Sequence, residues 1–119
     1  MNIQELGLWG ESFARSFLQK KGYHILESNV RFKKAEIDII AKSNNQLVVV
    51  EVKTRNTAEI GEPWRAVTKK KQRQIVSVAN HYVTQKQIDL DVRFDIVSIV
   101  HNSYRTDIEH IVDAFYPLL

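Results

Sequence analysis

Two short apolar runs, Glu36-Ile37-Asp38-Ile39-Ile40 and Leu47-Val48-Val49-Val50-Glu51-Val52-Lys53, place ionisable residues inside what otherwise reads as buried strand. β-Branched and aliphatic residues dominate both runs. The polar Ser43-Asn44-Asn45-Gln46 between them tolerates the positive φ of a tight turn, so the pair predicts a hairpin. With a symmetric loop of two or four residues, Asp38 falls opposite Glu51 and Glu36 opposite Lys53. Alternation puts Leu47, Val49, Glu51 and Lys53 on one face of their strand, and Glu36, Asp38 and Ile40 on one face of the partner. Directly opposed side chains have Cβ atoms roughly 4.5–5.5 Å apart and like charges so placed repel, so a positive group belongs between Asp38 and Glu51.

A divalent cation meets that requirement. Mg²⁺ takes hard oxygen ligands from one or two carboxylates and leaves its other octahedral positions to water and phosphate, which points to chemistry on phosphate esters. The competing reading is structural: strand carboxylates form ordinary cross-strand ion pairs, and Glu36 opposite Lys53 would be one.

Residues 3–21 have helical periodicity, with Ile3, Leu6, Gly10, Phe13, Ala14, Phe17 and Leu18 as the apolar stripe. Glu11 lies at its edge beside Gly7, Ala14 and Leu18, where its carboxylate would graze the sheet, with Gly7 and Gly10 leaving space next to it. A third metal-side carboxylate and a rim Glu paired with Arg15 or a nearby Lys are both compatible with that geometry. A second helix is predicted over 65–84. Its stripe of Lys71, Ile75, Val78, Ala79 and Tyr82 turns Lys71 inward. With Thr68 as N-cap, Lys69, Lys70 and Lys71 crowd a helix N-terminus, where the macrodipole disfavours cations and welcomes a phosphodiester. A start nearer Pro63 would instead make these lysines a solvated face. Arg55, Arg65 and Arg73 extend the basic set into a candidate nucleic-acid-binding surface, sequence-independent and salt-sensitive.

The 119 residues fit a single domain, 1–119, with a real core, and 44% hydrophobic residues are ordinary for a globular chain. A net charge of +3 permits a nucleic-acid partner without demanding one. Without cysteine there is no disulfide framework, zinc–thiolate site or cysteine nucleophile. Glu5, Glu11 and Arg15 interrupt any signal-peptide core, and the apolar stretches fall far short of the roughly 20 residues needed to cross a bilayer; no membrane partner and a cytoplasmic location are the expectation. Strands are predicted at 23–32, 36–42, 46–53, 92–101 and 107–113, with Gly22 closing the first helix. The order αβββαββ describes an α/β sandwich, a mixed central sheet flanked by two helices. Thr54 to Glu62, polar and aperiodic, reads as a loop that orders over substrate or as a plain connection.

Asp38 followed, after twelve intervening residues, by Glu51-Val52-Lys53 at the end of a hydrophobic strand resembles the motif of the PD-(D/E)xK nuclease superfamily, which includes restriction enzymes and Holliday-junction resolvases. The wider pattern resembles the bacterial YraN family over nearly the whole chain: Gly7-x-x-Gly10-Glu11, Glu36-Ile37-Asp38, VVEVKTR ending at Arg55, Gly61-Glu62-Pro63, the Lys-Gln helix and RFDIV ending at Val97. That family's usual Gly before Glu-Ile-Asp is Ala35 here, a small residue that would be strained only if positive φ were required. The resemblance implies a three-layer restriction-endonuclease-like core with Mg²⁺ or Mn²⁺ held by Asp38 and Glu51 and helped by the Val52 carbonyl. It also implies that Glu11 supports the site and that Lys53 is the motif lysine, which orients and helps deprotonate water or stabilises charge on the phosphate. The implied activity is phosphodiester hydrolysis by a metal-dependent endonuclease acting on nucleic acid, DNA first, with branched DNA and a homodimer as candidates. A partner protein that completes the site is compatible with this. The alternatives are a non-catalytic nucleic-acid-binding or assembly module that retains the nuclease fold, and a purely structural interaction protein.

Asp95 shares a strand face with Arg93, Val97 and Ile99 and reads as half of an ion pair. His24, His81, His101 and His110 show no metal-ligand spacing and read as surface or edge residues. Trp9 and Trp64 border apolar stripes and read as core or interface rather than base-stacking platforms. Tyr116-Pro117-Leu118-Leu119 is a candidate docking tail.

Overall fold

A capping box opens helix α1 (Ile3–Lys20), the Asn2 side chain accepting from Glu5 N–H at 2.8 Å while the Glu5 carboxylate accepts from Asn2 N–H. Gly22, at φ 92°, closes it, and the N–H groups of Gly22 and Tyr23 donate to the Gln19 and Leu18 carbonyls. Strands β1 (His24–Phe32), β2 (Ala35–Ser43) and β3 (Gln46–Arg55) follow, then α2 (Lys69–Lys86), β4 (Asp91–His101) and β5 (Thr106–Phe115). This is the order αβββαββ in a computed structural model that describes residues 1–57, 64 and 67–116. The strands form a five-stranded mixed sheet in the order β1-β2-β3-β4-β5, antiparallel except for β3 beside β4. A parallel pair needs a crossover, and α2 supplies it.

The two helices cover opposite faces of the sheet. Ala14 and Leu18 of α1 pack on Ile39, Ala41, Val48, Val50, Val52, Val97 and Ile99. On the other face Ile75, Val78, Ala79 and Tyr82 of α2 pack on Ile37, Ile40, Leu47, Val49, Phe94 and Ile96. Successive residues of β3 thus serve opposite layers, which explains the unbroken apolar run from Leu47 to Val50. Each fully buried aliphatic side chain contributes about 1.5–3 kcal/mol. The result is a three-layer α/β arrangement consistent with a nuclease-like core.

α1 lies close on β3 at Gly10, where an added Cβ would stand 2.9 Å from Thr54 Cβ. Gly10→Ala is therefore expected to push the helix off the sheet at a cost of about 1–3 kcal/mol, seen as a lower urea midpoint with an unchanged m value. Gly7, by contrast, borders open space.

Two expectations need correction, and one open choice is resolved. The second helix starts at Lys69 rather than 65, because Thr68 caps it with Oγ1 accepting from Lys71 N–H at 3.2 Å, and it runs on to Lys86. Ile3, assigned to the apolar stripe, is 90% exposed, since α1 reaches the sheet only beyond its first turn. The hairpin loop is the two-residue version, Asn44-Asn45 between paired Ser43 and Gln46, with Asn44 at φ 53°. Among the described residues no helix is long and apolar enough to cross a membrane.

Candidate active site

The β2–β3 ladder runs from Ser43–Gln46 to Ile39–Val50 and stops one step short of the position that sets Asp38 opposite Glu51. There the Asp38 side chain takes over from the ladder: its Oδ2 accepts from Val52 N–H at 2.8 Å. The Val52 main chain thus meets Asp38 through its amide. On the other side of β2, the pairs Ser28–Ile39 and Val30–Ile37 bracket Asn29 opposite Asp38. Asn29, Asp38 and Glu51 therefore form one row across three strands.

Glu51 is only 3% exposed. Its Oε1 lies 3.8 Å from Lys53 Nζ and 3.9 Å from Lys71 Nζ, while its Oε2 is buried with no donor to bond among the described residues. Burial, then the Asp38 charge, pushes the Glu51 carboxyl up to about 8 against the opposing pull of Lys71 and Lys53. Asp38 is raised too, chiefly by burial and further by Glu11, with the Val52 N–H acting the other way. A buried Glu51 and a part-buried Asp38 that each resist ionisation, the former with an orphaned oxygen, fit a hard divalent cation that would supply the missing charge.

Glu11 faces Asp38 from α1, its own Oε1 accepting from Asn29 Nδ2 at 2.9 Å. Among the described residues no three His, Cys, Asp or Glu side chains group tightly enough to hold a metal ion, so the direct donors are the Asp38–Glu51 pair. Glu36 does not meet Lys53. The ladder between their strands has already ended, and Glu36 is taken up by Arg31 Nε at 2.7 Å and by Asn29 Nδ2 at 2.9 Å. Lys71, read as inward-turned but assigned only to backbone binding, is brought to Glu51 by the crossover of α2. Lys69, Lys70 and Arg73 are exposed, and Lys69 and Arg73 line a cleft of about 330 Å³ with Gln72, Asn80 and Tyr116. Arg55 ends β3, half-buried. Arg65, residues 58–62 of the loop after β3 and residues 117–119 of the tail lie outside the described residues.

His24 is exposed at the start of edge strand β1, as a surface or edge residue should be, whereas the other three histidines are engaged. The His110 side chain is 3% exposed and bonded to Asp95, His101 stacks on Trp9 at 3.7 Å, and His81 stacks on Phe32 at 3.8 Å. The signal that bears on His110 is its position on the strand that directly follows the one carrying Asp95, and the two pair antiparallel. The Asp95–Arg93 ion pair itself is present at 2.8 Å.

Fold and site together define an α/β protein with a carboxylate pair, Glu51 buried and Asp38 part-buried, two lysines beside it, and a basic helix N-terminus at the same end of the sheet. The chain belongs to the family described as Uncharacterised protein family UPF0102, whose model matches residues 10–99, the YraN grouping to which the motifs point. A UPF0102 protein from Christiangramia forsetii is 51% identical, the alignment covering 94% of each chain. UPF0102 protein FP2501 from Flavobacterium psychrophilum is 48% identical over 94% of each, and a UPF0102 protein from Geobacter metallireducens is 44% identical over 97% of this chain and 95% of its own.

Proposed function

We propose that this protein is a divalent-cation-dependent endonuclease of the PD-(D/E)xK type, hydrolysing phosphodiester bonds in nucleic acid, with branched DNA as the leading substrate and a homodimer as the working assembly. The observation that carries the reading is Glu51 Oε2, a buried carboxylate oxygen with no donor among the described residues, beside Asp38 and two lysines. Asp38 and Glu51 would hold Mg²⁺ or Mn²⁺. Bound there, the ion would neutralise charge on the scissile phosphate and make its water more acidic.

The remaining work falls to the chain's own residues. Lys53 stabilises charge on the phosphate and positions the attacking water from the end of β3. Lys71 brings a second ammonium to the same Glu51 oxygen from the first turn of α2. That turn holds three lysines and no acidic residue, which the helix dipole disfavours until an anion binds. Lys69, Lys70, Arg73 and Arg55 continue the basic surface along which a sugar–phosphate backbone would lie.

The test is calorimetric titration of Mn²⁺ into wild type, Asp38→Asn and Glu51→Gln, followed by incubation with branched and linear DNA and RNA. Wild type should bind and cleave. Asp38→Asn should lose cleavage while keeping nucleic-acid binding, and Lys71→Ala should keep cation binding but cleave about 10–100-fold more slowly. Equal nucleic-acid binding by wild type and Asp38→Asn, with cleavage by neither, would establish the non-catalytic module. Failure of wild type to bind cation even with DNA present would sink the catalytic reading.

A further inference from the structure

We infer that Asn29 is a positioning residue that fastens the Glu11 carboxylate beside Asp38 and so adds a third acidic group to the cation site; the inference rests on the function proposed above. A carboxylate accepts hydrogen bonds and offers none, so an amide between two carboxylates must turn its NH₂ toward both. Asn29 does this: Nδ2 donates to Glu11 Oε1 and to Glu36 Oε1, each at 2.9 Å. Glu36 is in turn held by Arg31 Nε at 2.7 Å. A chain of bonds, Arg31 to Glu36 to Asn29 to Glu11, therefore ties the edge of the sheet to α1.

Without this tie nothing described would hold Glu11 against Asp38, whose like charge would drive a long, flexible side chain out to solvent. The backbone is shaped for the task. Asn29 stands at φ 55° in the middle of β1, a left-handed conformation that costs a non-glycine residue on the order of 1 kcal/mol. Ser28 and Asn29 are consecutive exposed residues, a break in the alternation of the strand that turns Val30 and Phe32 toward the α2-side core. The same kink aims the Asn29 amide at Glu11 and Glu36. Mg²⁺ keeps several of its waters, so a carboxylate lying just beyond a two-carboxylate pair is well placed to hold one of them. Asn29 then stands to Glu11 as the outer partners of metal sites stand to the ligands they orient.

Asn29→Gly separates the amide from the backbone, because glycine adopts the left-handed conformation freely. Mn²⁺ affinity would be measured calorimetrically for wild type, Asn29→Gly, Glu11→Gln and the double variant, with thermal melts of each. Asn29→Gly is expected to bind Mn²⁺ about tenfold more weakly than wild type. The double variant should be no weaker than Glu11→Gln alone, since both changes remove one arrangement. A merely structural Asn29 would lower the melting temperature and leave Mn²⁺ affinity alone. Wild-type affinity in Asn29→Gly, or losses that multiply in the double variant, overturns the assignment by itself. Absence of Mn²⁺ binding in wild type overturns the proposed function and this inference with it.

Discussion

Glu51→Gln is expected to melt at a higher temperature than the wild-type chain at pH 8 while losing divalent-cation binding and hydrolysis. Burial, then the neighbouring Asp38 charge, raises the Glu51 carboxyl from 4.5 to about 8 in the folded protein. The folded state thus holds this proton more tightly than the unfolded chain does. Its contribution to stability is complete below pH about 4.5 and is lost as pH climbs through about 8. Asp38, also raised, acts in the same direction. At 1.36 kcal/mol per pKa unit the swing is on the order of 5 kcal/mol, enough to move the melting temperature of a domain this size by about 10 °C or more.

Gln cannot ionise, so the variant should show a flatter melting temperature across pH 5–9. Mn²⁺ should stabilise wild type more at pH 8 than at pH 5, because the cation competes with the proton, and should leave Glu51→Gln unaffected. Scanning calorimetry across that range decides the point. A variant that melts below wild type at pH 8 would show Glu51 to be a structural partner of Lys53 and Lys71 rather than a carboxylate kept under electrostatic strain for chemistry.

Asp95→Ala should cost about 3–5 kcal/mol, read as a lower urea midpoint, without changing Mn²⁺ affinity. Asp95 is 0% exposed, and its two oxygens accept from Arg93 Nε at 2.9 Å and Nη2 at 2.8 Å, from His110 Nε2 at 2.7 Å and from Asp113 N–H at 3.0 Å. Arg93 also donates to Tyr23 Oη and Gln46 Oε1. The Lys21 ammonium lies 2.8 Å from His110 Nδ1, which makes Nδ1 the acceptor and leaves the ring proton on Nε2, facing Asp95. Removing the carboxylate would strand a guanidinium that is largely shielded from water.

Burial alone would raise the Asp95 carboxyl, but the bonds from His110, Arg93 and Asp113 N–H outweigh it and hold the group below its ordinary 3.8. A depressed carboxyl contributes stability above its unfolded value and loses it as pH falls through the lower folded one. Asp95 therefore contributes to the acid limb of unfolding, in a window distinct from that of Glu51. Asp95 pairs in register with Val50, one row from Glu51, yet its network runs through Arg93 to Tyr23 and through His110 to Lys21, while Glu51 faces Lys71 of α2. None of these network bonds reaches Asp38, Glu51 or Glu11, which is why cation affinity should survive. A cost below about 1 kcal/mol would mean that the network contributes no more than an exposed ion pair does.

Much of this was legible before folding is considered. Strand periodicity and the Asn44-Asn45 turn determine the hairpin and its register, hence Asp38 opposite Glu51, because a period of two and a two-residue loop leave little choice. Helical spacing likewise determines which faces of α1 and α2 are buried, from Ala14 and Leu18 to Ile75 and Tyr82. What periodicity does not carry is where a ladder ends and which distant element lies above it. The tertiary structure alone turned Glu36 from Lys53 to Arg31, brought Lys71 across the sheet to Glu51, bent β1 at Asn29 toward Glu11, and buried His110 between Asp95 and a lysine 89 residues away. Those contacts depend on strand neighbours and a crossover helix, and a local pattern of apolar and polar residues encodes a face but not the partner that covers it.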